Sequence, residues 1–314
     1  MTLQHPNLSP NQIPAIQAIG LSKTYARSPK PAVEPMCLEV YQGEIFGFLG
    51  PNGAGKTTTI KMLLDLIKPT SGQARILGYD CQKSSVKSRE QIGYMPGELR
   101  LYPNYSGTKI IDLLMSTKPE PVSSQYINYL CKKLDVEMDT PTARLSLGNR
   151  QKIGLVLALM AKPSLLILDE PTLGLDPIIQ NQVLELLREV KDEGRTVFLS
   201  SHVLSEVEQI CGRIGIIRDG HLVAVEKIES MQKRLLKYLH VTFSESVDPK
   251  VFDALPNTTV TQTTDKTLSI AISGDINQVI KLISQYKVES LESGQPSLEN
   301  VFMGYYQDNG KEYV

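Results

Sequence analysis

The sequence predicts an α/β protein built on a parallel sheet, followed by a smaller α+β unit of ferredoxin-like order. Three observations carry that prediction. Apolar strands and amphipathic helices alternate through the first ~225 residues, the pattern of a sheet covered on both faces. A glycine-rich loop joins one of those strands to a helix. After Glu226 the order changes to strand, helix, strand, strand, helix, strand.

The elements follow in chain order. GEIFGFLG (43–50) is an apolar strand ending in glycine. Ile60, Leu63, Leu64 and Ile67 then fall on one helical face. The segment from about 85 to 160 interrupts the alternation and reads as an inserted, mostly helical subdomain. LLIL (165–168) is apolar throughout, as a strand buried on both faces requires. Ile179, Val183, Leu186, Leu187 and Val190 mark a further amphipathic helix, ended by Gly194. RTVFLSSH (195–202) is the next strand. A helix is expected over 228–237. Then come YLHVTFS, DPKVFDAL, TTVTQTT, KTLSIAIS, DINQVIKLISQY and KVESLES, the six elements of the second unit. SLENVFMGYY closes the chain as a helix, with Ser297 as N-cap and Glu299 in its first turn.

Composition excludes several function classes. A chain of 314 residues suggests about two domains. Lys plus Arg is 33 and Asp plus Glu is 34, which argues against a broad nucleic-acid footprint, so no nucleic-acid partner is expected. The four cysteines are far apart and form no C-x-x-C pair, so they read as core residues in a reducing compartment and not as zinc ligands. The longest helix-like apolar run, IGLVLALMA (153–161), stops at Lys162, far short of the ~20 residues that span a bilayer. MTLQHPNLSPNQIP is polar and Pro-rich, with no apolar signal-peptide core, so residues 1–13 are expected to form a flexible tail. A cytoplasmic location follows, with any membrane span supplied by other chains.

Residues 50–57 read G-P-N-G-A-G-K-T. This fits the phosphate-loop pattern G-x-x-x-x-G-K-[ST], whose chance occurrence in a chain this long is on the order of one per cent. Gly50, Gly53 and Gly55 let the backbone curl so that N–H groups face inward, with Pro51, Asn52 and Ala54 between them. The helix N-terminus beyond adds partial positive charge to bind phosphate. Lys56 offers a full charge to the terminal phosphates, and Thr57, followed by Thr58, offers a hydroxyl to Mg²⁺.

LLILDEPTLGLDP (165–177) poses a question: a buried strand ends in two adjacent acids. Neighbouring carboxylates repel, and burial raises the cost of ionising either. Beside a phosphate loop the pair has a reason. Asp169 is placed as the metal-side carboxylate of a Mg²⁺–nucleotide complex. Glu170, one residue on, faces the γ-phosphate and can orient or deprotonate a water.

Four further pieces resemble one family. They are Ser146-Leu147-Gly148-Asn149-Arg150-Gln151, Asp169-Glu170-Pro171-Thr172 followed by Gly174-Leu175-Asp176, His202 in LSSH, and Tyr25 in LSKTYA. In this order and spacing, residues 15–225 resemble the ATP-binding subunit of ABC transporters. The PSLENVFMGYY tail resembles, more weakly, the accessory domain of ABC-2 exporter-type subunits. The resemblance implies a P-loop NTPase fold, an ABC ATPase cassette with a RecA-like core and inserted helical subdomain. It divides the chain into a nucleotide-binding domain (14–227), a linker helix (228–237) and an accessory domain (238–314).

The resemblance also implies roles. Tyr25 stacks on adenine, and base–aromatic stacking is worth ~1–3 kcal/mol. His202 contacts the γ-phosphate. Ser146 and Gly148 belong to a signature loop that covers the ATP of an opposite cassette, and Asp176 couples the two sites. ATP then joins two cassettes, as a homodimer or heterodimer. Hydrolysis releases them and drives separate permease subunits from the cytoplasmic face of the membrane. Two positions depart from the family pattern. Gly97 replaces the usual Gln or Glu after Y-x-P, so either Glu98, next in the chain, substitutes as the metal contact or that contact is absent. Leu147 replaces a signature glycine, at ~1–2 kcal/mol if the position needs φ > 0. The rival readings are a non-transport ABC clamp, which usually carries two cassettes, a coiled-coil insertion or a basic surface, and a regulatory module without turnover.

Overall fold

The computed structural model describes residues 14–26, 28–117, 122–233, 237–253, 255, 258–272 and 276–294. The chain divides into two compact units between Glu226 and Lys227. The expected N-terminal tail and the expected 297–306 helix lie outside the described residues.

The first unit runs β1 (Pro14–Lys23), β2 (Val33–Tyr41), β3 (Ile45–Leu49), α1 (Lys56–Leu63), β4 (Ser71–Ile76) and β5 (Tyr79–Asp80). It continues with α2 (Ser85–Glu90), β6 (Ile92–Met95), α3 (Gly107–Met115), α4 (Ser124–Lys133), α5 (Leu147–Leu159) and β7 (Leu165–Asp169). It ends with α6 (Pro177–Asp192), β8 (Thr196–Ser201), α7 (Leu204–Ile210), β9 (Arg213–Arg218) and β10 (His221–Lys227). A six-stranded sheet of order β10-β9-β3-β8-β7-β6 forms its centre, with β9, β3, β8, β7 and β6 mutually parallel. A second sheet, β2-β1-β4-β5, is antiparallel.

The parallel strands bury both faces, so they read as continuous apolar runs: all five residues of β3 and all five of β7 are buried. Phe46 and Phe198 stack with ring centroids 5.9 Å apart, and Phe48 lies 5.5 Å from Phe198. Each such ring contributes about 1.5–3 kcal/mol by leaving water. The register places Asp169 beside Ser200, and Leu49 beside Ser201. The carboxyl ends of β3, β7 and β8 therefore finish side by side, the edge where open α/β sheets bind ligands.

Three differences from the sequence reading are informative. The span 85–160 contains β6, which pairs with β7 in the central sheet. IGYM is too short, and carries a mid-strand glycine, to announce itself as a strand. The antiparallel sheet, whose strands lie on both sides of the phosphate loop in sequence, had no counterpart in the reading. The expected helix over 228–237 is observed as α8 (Ile228–Lys233), and Lys237 already belongs to the next strand.

The second unit orders β11 (Lys237–Phe243), α9 (Lys250–Asp253), β12 (Thr258–Thr264), β13 (Thr267–Ile272), α10 (Ile276–Ile283) and β14 (Val288–Gly294). Its sheet is β12-β13-β11-β14, antiparallel throughout, the ferredoxin-like arrangement. Phe243, Phe252 and Tyr286 cluster in its core with centroids 5.8–6.1 Å apart.

Candidate active site

The loop after β3 is held by contacts that only glycine permits. A Cβ on Gly50 would lie 2.3 Å from the Ile217 carbonyl oxygen, and Gly55 (φ +111°) would place one 2.6 Å from that of Ala32. The loop therefore lies against neighbouring backbone and turns directly into α1. Lys56, only 6% exposed, folds back over it. Its Nζ donates to the carbonyls of Gly50 (2.6 Å) and Pro51 (3.2 Å).

The two acids at the end of β7 part ways. Asp169 is buried, and its Oδ2 accepts a hydrogen bond from the Thr57 hydroxyl at 2.7 Å. Its Oδ1 accepts one from the Ser200 hydroxyl at 2.5 Å. Glu170 points instead to Lys56 and His202: Oε1 lies 3.1 Å from Lys56 Nζ, and Oε2 lies 2.5 Å from His202 Nδ1. Separate partners thus relieve the repulsion that the sequence implied. Glu170 adopts a left-handed backbone conformation, φ +54°. For a residue with a side chain this costs about 1–2 kcal/mol, and it persists because several contacts fix the peptide. The Glu170 N–H donates to the Ser200 carbonyl and to its hydroxyl oxygen, both at 3.2 Å. The Glu170 carbonyl accepts from Leu173 N–H at 3.2 Å and from Gln151 Nε2 at 3.1 Å. Nearby, the buried Glu206 carboxylate accepts from the Thr172 (2.8 Å) and Ser201 (3.3 Å) hydroxyls, tying the loop after Glu170 to the strand before His202.

These groups converge on a cavity of about 630 Å³. Pro51, Asn52, Gly53, Gly55, Lys56, Thr57, Thr58, Asp169, Glu170 and His202 all line it. Tyr94 lines it too; burial, and secondarily the charge of Asp169, pushes its hydroxyl up to about 12, so it stays protonated and can donate a hydrogen bond. Ala54 is buried beneath the loop, where its carbonyl accepts from Gly220 N–H at 3.0 Å. Tyr25 is half exposed, with its hydroxyl 3.4 Å from that of Thr58.

Besides Tyr25 and, in the loop itself, Gly50 and Ala54, three expected site residues do not line this cavity. Ser146 caps α5, accepting from Asn149 N–H at 3.2 Å. Gly148 packs on the next loop, where a Cβ would lie 2.9 Å from the Gly174 carbonyl oxygen. Asp176 caps α6, accepting from the N–H groups of Ile178 and Ile179 at 3.1 and 3.0 Å. Glu98 borders the cavity, but its side chain is exposed and lies 3.7 Å from Arg100. A Cβ on Gly97 would lie 3.3 Å from Asp169 Oδ2, so the glycine abuts the carboxylate itself. Leu147 is the first residue of α5 and is not left-handed, so the strain considered for it does not arise.

Thr57 and Asp169 offer hard oxygen donors side by side on the cavity wall, the donor type that suits Mg²⁺. Among the described residues no group of three or more His, Cys, Asp or Glu is placed to hold a metal. An ion here would share its coordination with phosphate and water, as Mg²⁺ commonly does.

Sequence reasoning missed Ser200 and Gln151. Ser200 had a signal in the paired hydroxyls of LSSH at the end of an apolar strand. Gln151 was read only as the end of the Ser146–Gln151 stretch, and its contact had no signal of its own, because its partner is a backbone carbonyl 19 residues away.

A family model described as ABC transporter matches residues 33–173. An uncharacterized ABC transporter ATP-binding protein of Bacillus subtilis, YcbN, is 34% identical over 94% of this chain and 97% of its own length. The bacitracin transport ATP-binding protein BcrA of Bacillus licheniformis is 38% identical over 73% of this chain and 75% of its own. A solved ATP-binding subunit of an ABC transporter superposes with a TM-score of 0.63 at 28% identity, over 70% of this chain and 92% of that one. The fold and site define a P-loop ATPase cassette. The chain belongs to the ABC transporter family, as an ATP-binding, ATP-hydrolysing subunit.

Proposed function

We propose that this chain hydrolyses Mg²⁺–ATP in the cavity at the ends of β3, β7 and β8. In this reading it works paired with a second cassette, beneath separately encoded exporter-type permease subunits on the cytoplasmic side of the membrane. The observation that carries the reading is the convergence of Lys56, Asp169, Glu170 and His202 on one cavity.

Each residue has a distinct task. Lys56 and the N–H groups of residues 52–57 hold the β- and γ-phosphates. Thr57 and Asp169 would hold Mg²⁺, which supplies charge neutralisation on the transferred phosphoryl group. Glu170 orients the attacking water and takes its proton. His202 donates to the γ-phosphate from the same side. Lys56 and His202 both contact Glu170 here, so phosphate binding exchanges these pairs for phosphate contacts and frees the carboxylate. Tyr25 supplies a ring for adenine.

Ser146, Gly148 and Asp176 lie outside this cavity, which fits a role at the ATP of a second cassette. The N-terminus of α5 presents N–H groups suited to phosphate. Among the described residues no helix is long and apolar enough to cross a membrane, so the span is assigned to other chains. The described residues beyond 238 are assigned to an accessory domain that takes no part in the chemistry.

The test is phosphate release by the purified chain with Mg²⁺ and with a chelator, alongside affinity purification from membrane extracts. Chelator-sensitive hydrolysis and a co-purifying polytopic protein are expected. Turnover indifferent to the chelator would overturn the Mg²⁺ assignment, and a partner that is ribosomal or DNA-bound would overturn the transport reading.

A further inference from the structure

Helix α5 carries the signature loop at its N-terminus and, one turn in, a buried glutamine that points at the other end of the problem. Gln151 is 2% exposed. Its Nε2 donates to the backbone carbonyl of Glu170 at 3.1 Å. No other side chain among the described residues is recorded donating to that carbonyl; its second donor is Leu173 N–H, from within the same turn. The Glu170 peptide is held on its N–H side by Ser200 of β8 and on its carbonyl side by Gln151 of α5. Between those clamps Glu170 keeps φ at +54°, and that backbone angle sets where its carboxylate points.

We propose that Gln151 is a positioning residue for Glu170, tying the signature helix to the base of the same chain. The inference rests on Glu170 being the base. A buried amide facing a carbonyl is geometrically specific: it acts at one distance and direction, and leaves an unpaired group if withdrawn. Packing reinforces the link. Gly148 and Leu147 lie against Gly174, in the loop that follows Glu170, so α5 and that loop meet at two places. A displacement of α5 when a second cassette's nucleotide reaches Ser146 is therefore delivered to the Glu170 backbone through Gln151. This gives each cassette a route by which engagement of its signature loop tunes its own hydrolysis, distinct from the signature loop's contact with the opposite ATP.

The test uses the full chain with Gln151→Met and Gln151→Glu. Both keep the side-chain length, and neither presents an amide donor. Steady-state ATP hydrolysis, binding of a fluorescent ATP analogue and thermal melting are measured together. The expected result is a kcat lower by about tenfold to a hundredfold, the scale of a misplaced catalytic group. For Gln151→Met, KM and analogue affinity should stay within about twofold of the unsubstituted chain, with the melting temperature lowered by no more than the loss of one buried hydrogen bond. Gln151→Met with undiminished kcat overturns the inference. So does a Gln151→Met chain whose KM and affinity deteriorate along with kcat, or which fails to fold, because Gln151 is then a structural prop of α5. Turnover that survives Glu170→Gln in an otherwise unchanged chain would instead refute the underlying assignment of the base, an outcome distinct from any of the Gln151 results.

Discussion

Glu170 and His202 touch across the ends of two parallel strands, Oε2 to Nδ1 at 2.5 Å, while the other oxygen of Glu170 lies 3.1 Å from Lys56 Nζ. One carboxylate thus sits between two groups that bind phosphate in the proposed reaction. Glu170→Gln keeps the shape and removes the base and its charge. ATP should still bind, and hydrolysis should slow by ~10²-fold or more, the usual scale for a general base. An ATP-dependent dimer should accumulate, because joined cassettes no longer turn over. Size-exclusion chromatography with and without ATP, beside a phosphate-release assay, reads both effects. Wild-type turnover would remove Glu170 from the role.

Lys56→Ala and Asp169→Asn should fail at an earlier step than Glu170→Gln. Lys56 is the cation closest to the loop carbonyls that frame the phosphate site, so its loss should weaken ATP binding and abolish turnover. Asp169 accepts from both Thr57 and Ser200. An amide there keeps only one acceptor oxygen, so Mg²⁺-dependent nucleotide binding should drop while Mg²⁺-independent binding changes little. Titrating an ATP analogue with and without Mg²⁺ separates the two. Equal Mg²⁺ stimulation in wild type and Asp169→Asn would place the metal elsewhere.

Much of the site was legible because its chemistry is local in sequence. The glycine spacing of 50–57, the acids after LLIL and the histidine after LSS each sit at the end of an apolar run, and a parallel sheet gathers such ends at one edge. What was not legible depends on contacts across the fold. Gln151 bonds to a backbone carbonyl, which leaves no side-chain signature on its partner. Strand β6 is four residues at a sheet edge with little hydrophobic length. The antiparallel sheet of β1, β2, β4 and β5 is half polar, so its strands compete with loops in any reading by periodicity.

Gly50 gives a prediction about the scaffold. It ends β3 against β9, where an added Cβ would approach the Ile217 carbonyl to 2.3 Å and the Ala54 Cβ to 3.2 Å. The first contact is with backbone, which cannot rotate away. Gly50→Ala should destabilise the first unit by about 1–3 kcal/mol, the usual range for overpacking, and should weaken ATP binding by displacing the loop that Lys56 folds over. Denaturant unfolding and nucleotide titration measure the two. A variant as stable as wild type would mean that β3 and β9 separate more easily than their pairing suggests.

Phe252 tests the independence of the second unit. It is fully buried, and its ring lies 6.0 Å from Phe243 and 6.1 Å from Tyr286. Phe252→Ala removes one wall of that aromatic cluster and leaves a cavity, at about 3–5 kcal/mol. In a unit of this size such a loss is a large share of the folding free energy. The proposed catalytic groups all lie in the first unit, at positions 56 to 202, so ATP affinity at low temperature should be unchanged. Calorimetry of the full chain should show an early transition displaced to lower temperature in Phe252→Ala, and a later one, raised by ATP, left in place. A chain truncated after 237 should keep that later, ATP-responsive transition. Loss of nucleotide binding in either protein would mean that the second unit supports the ATP site, and that the division after Glu226 is one of packing and not of function.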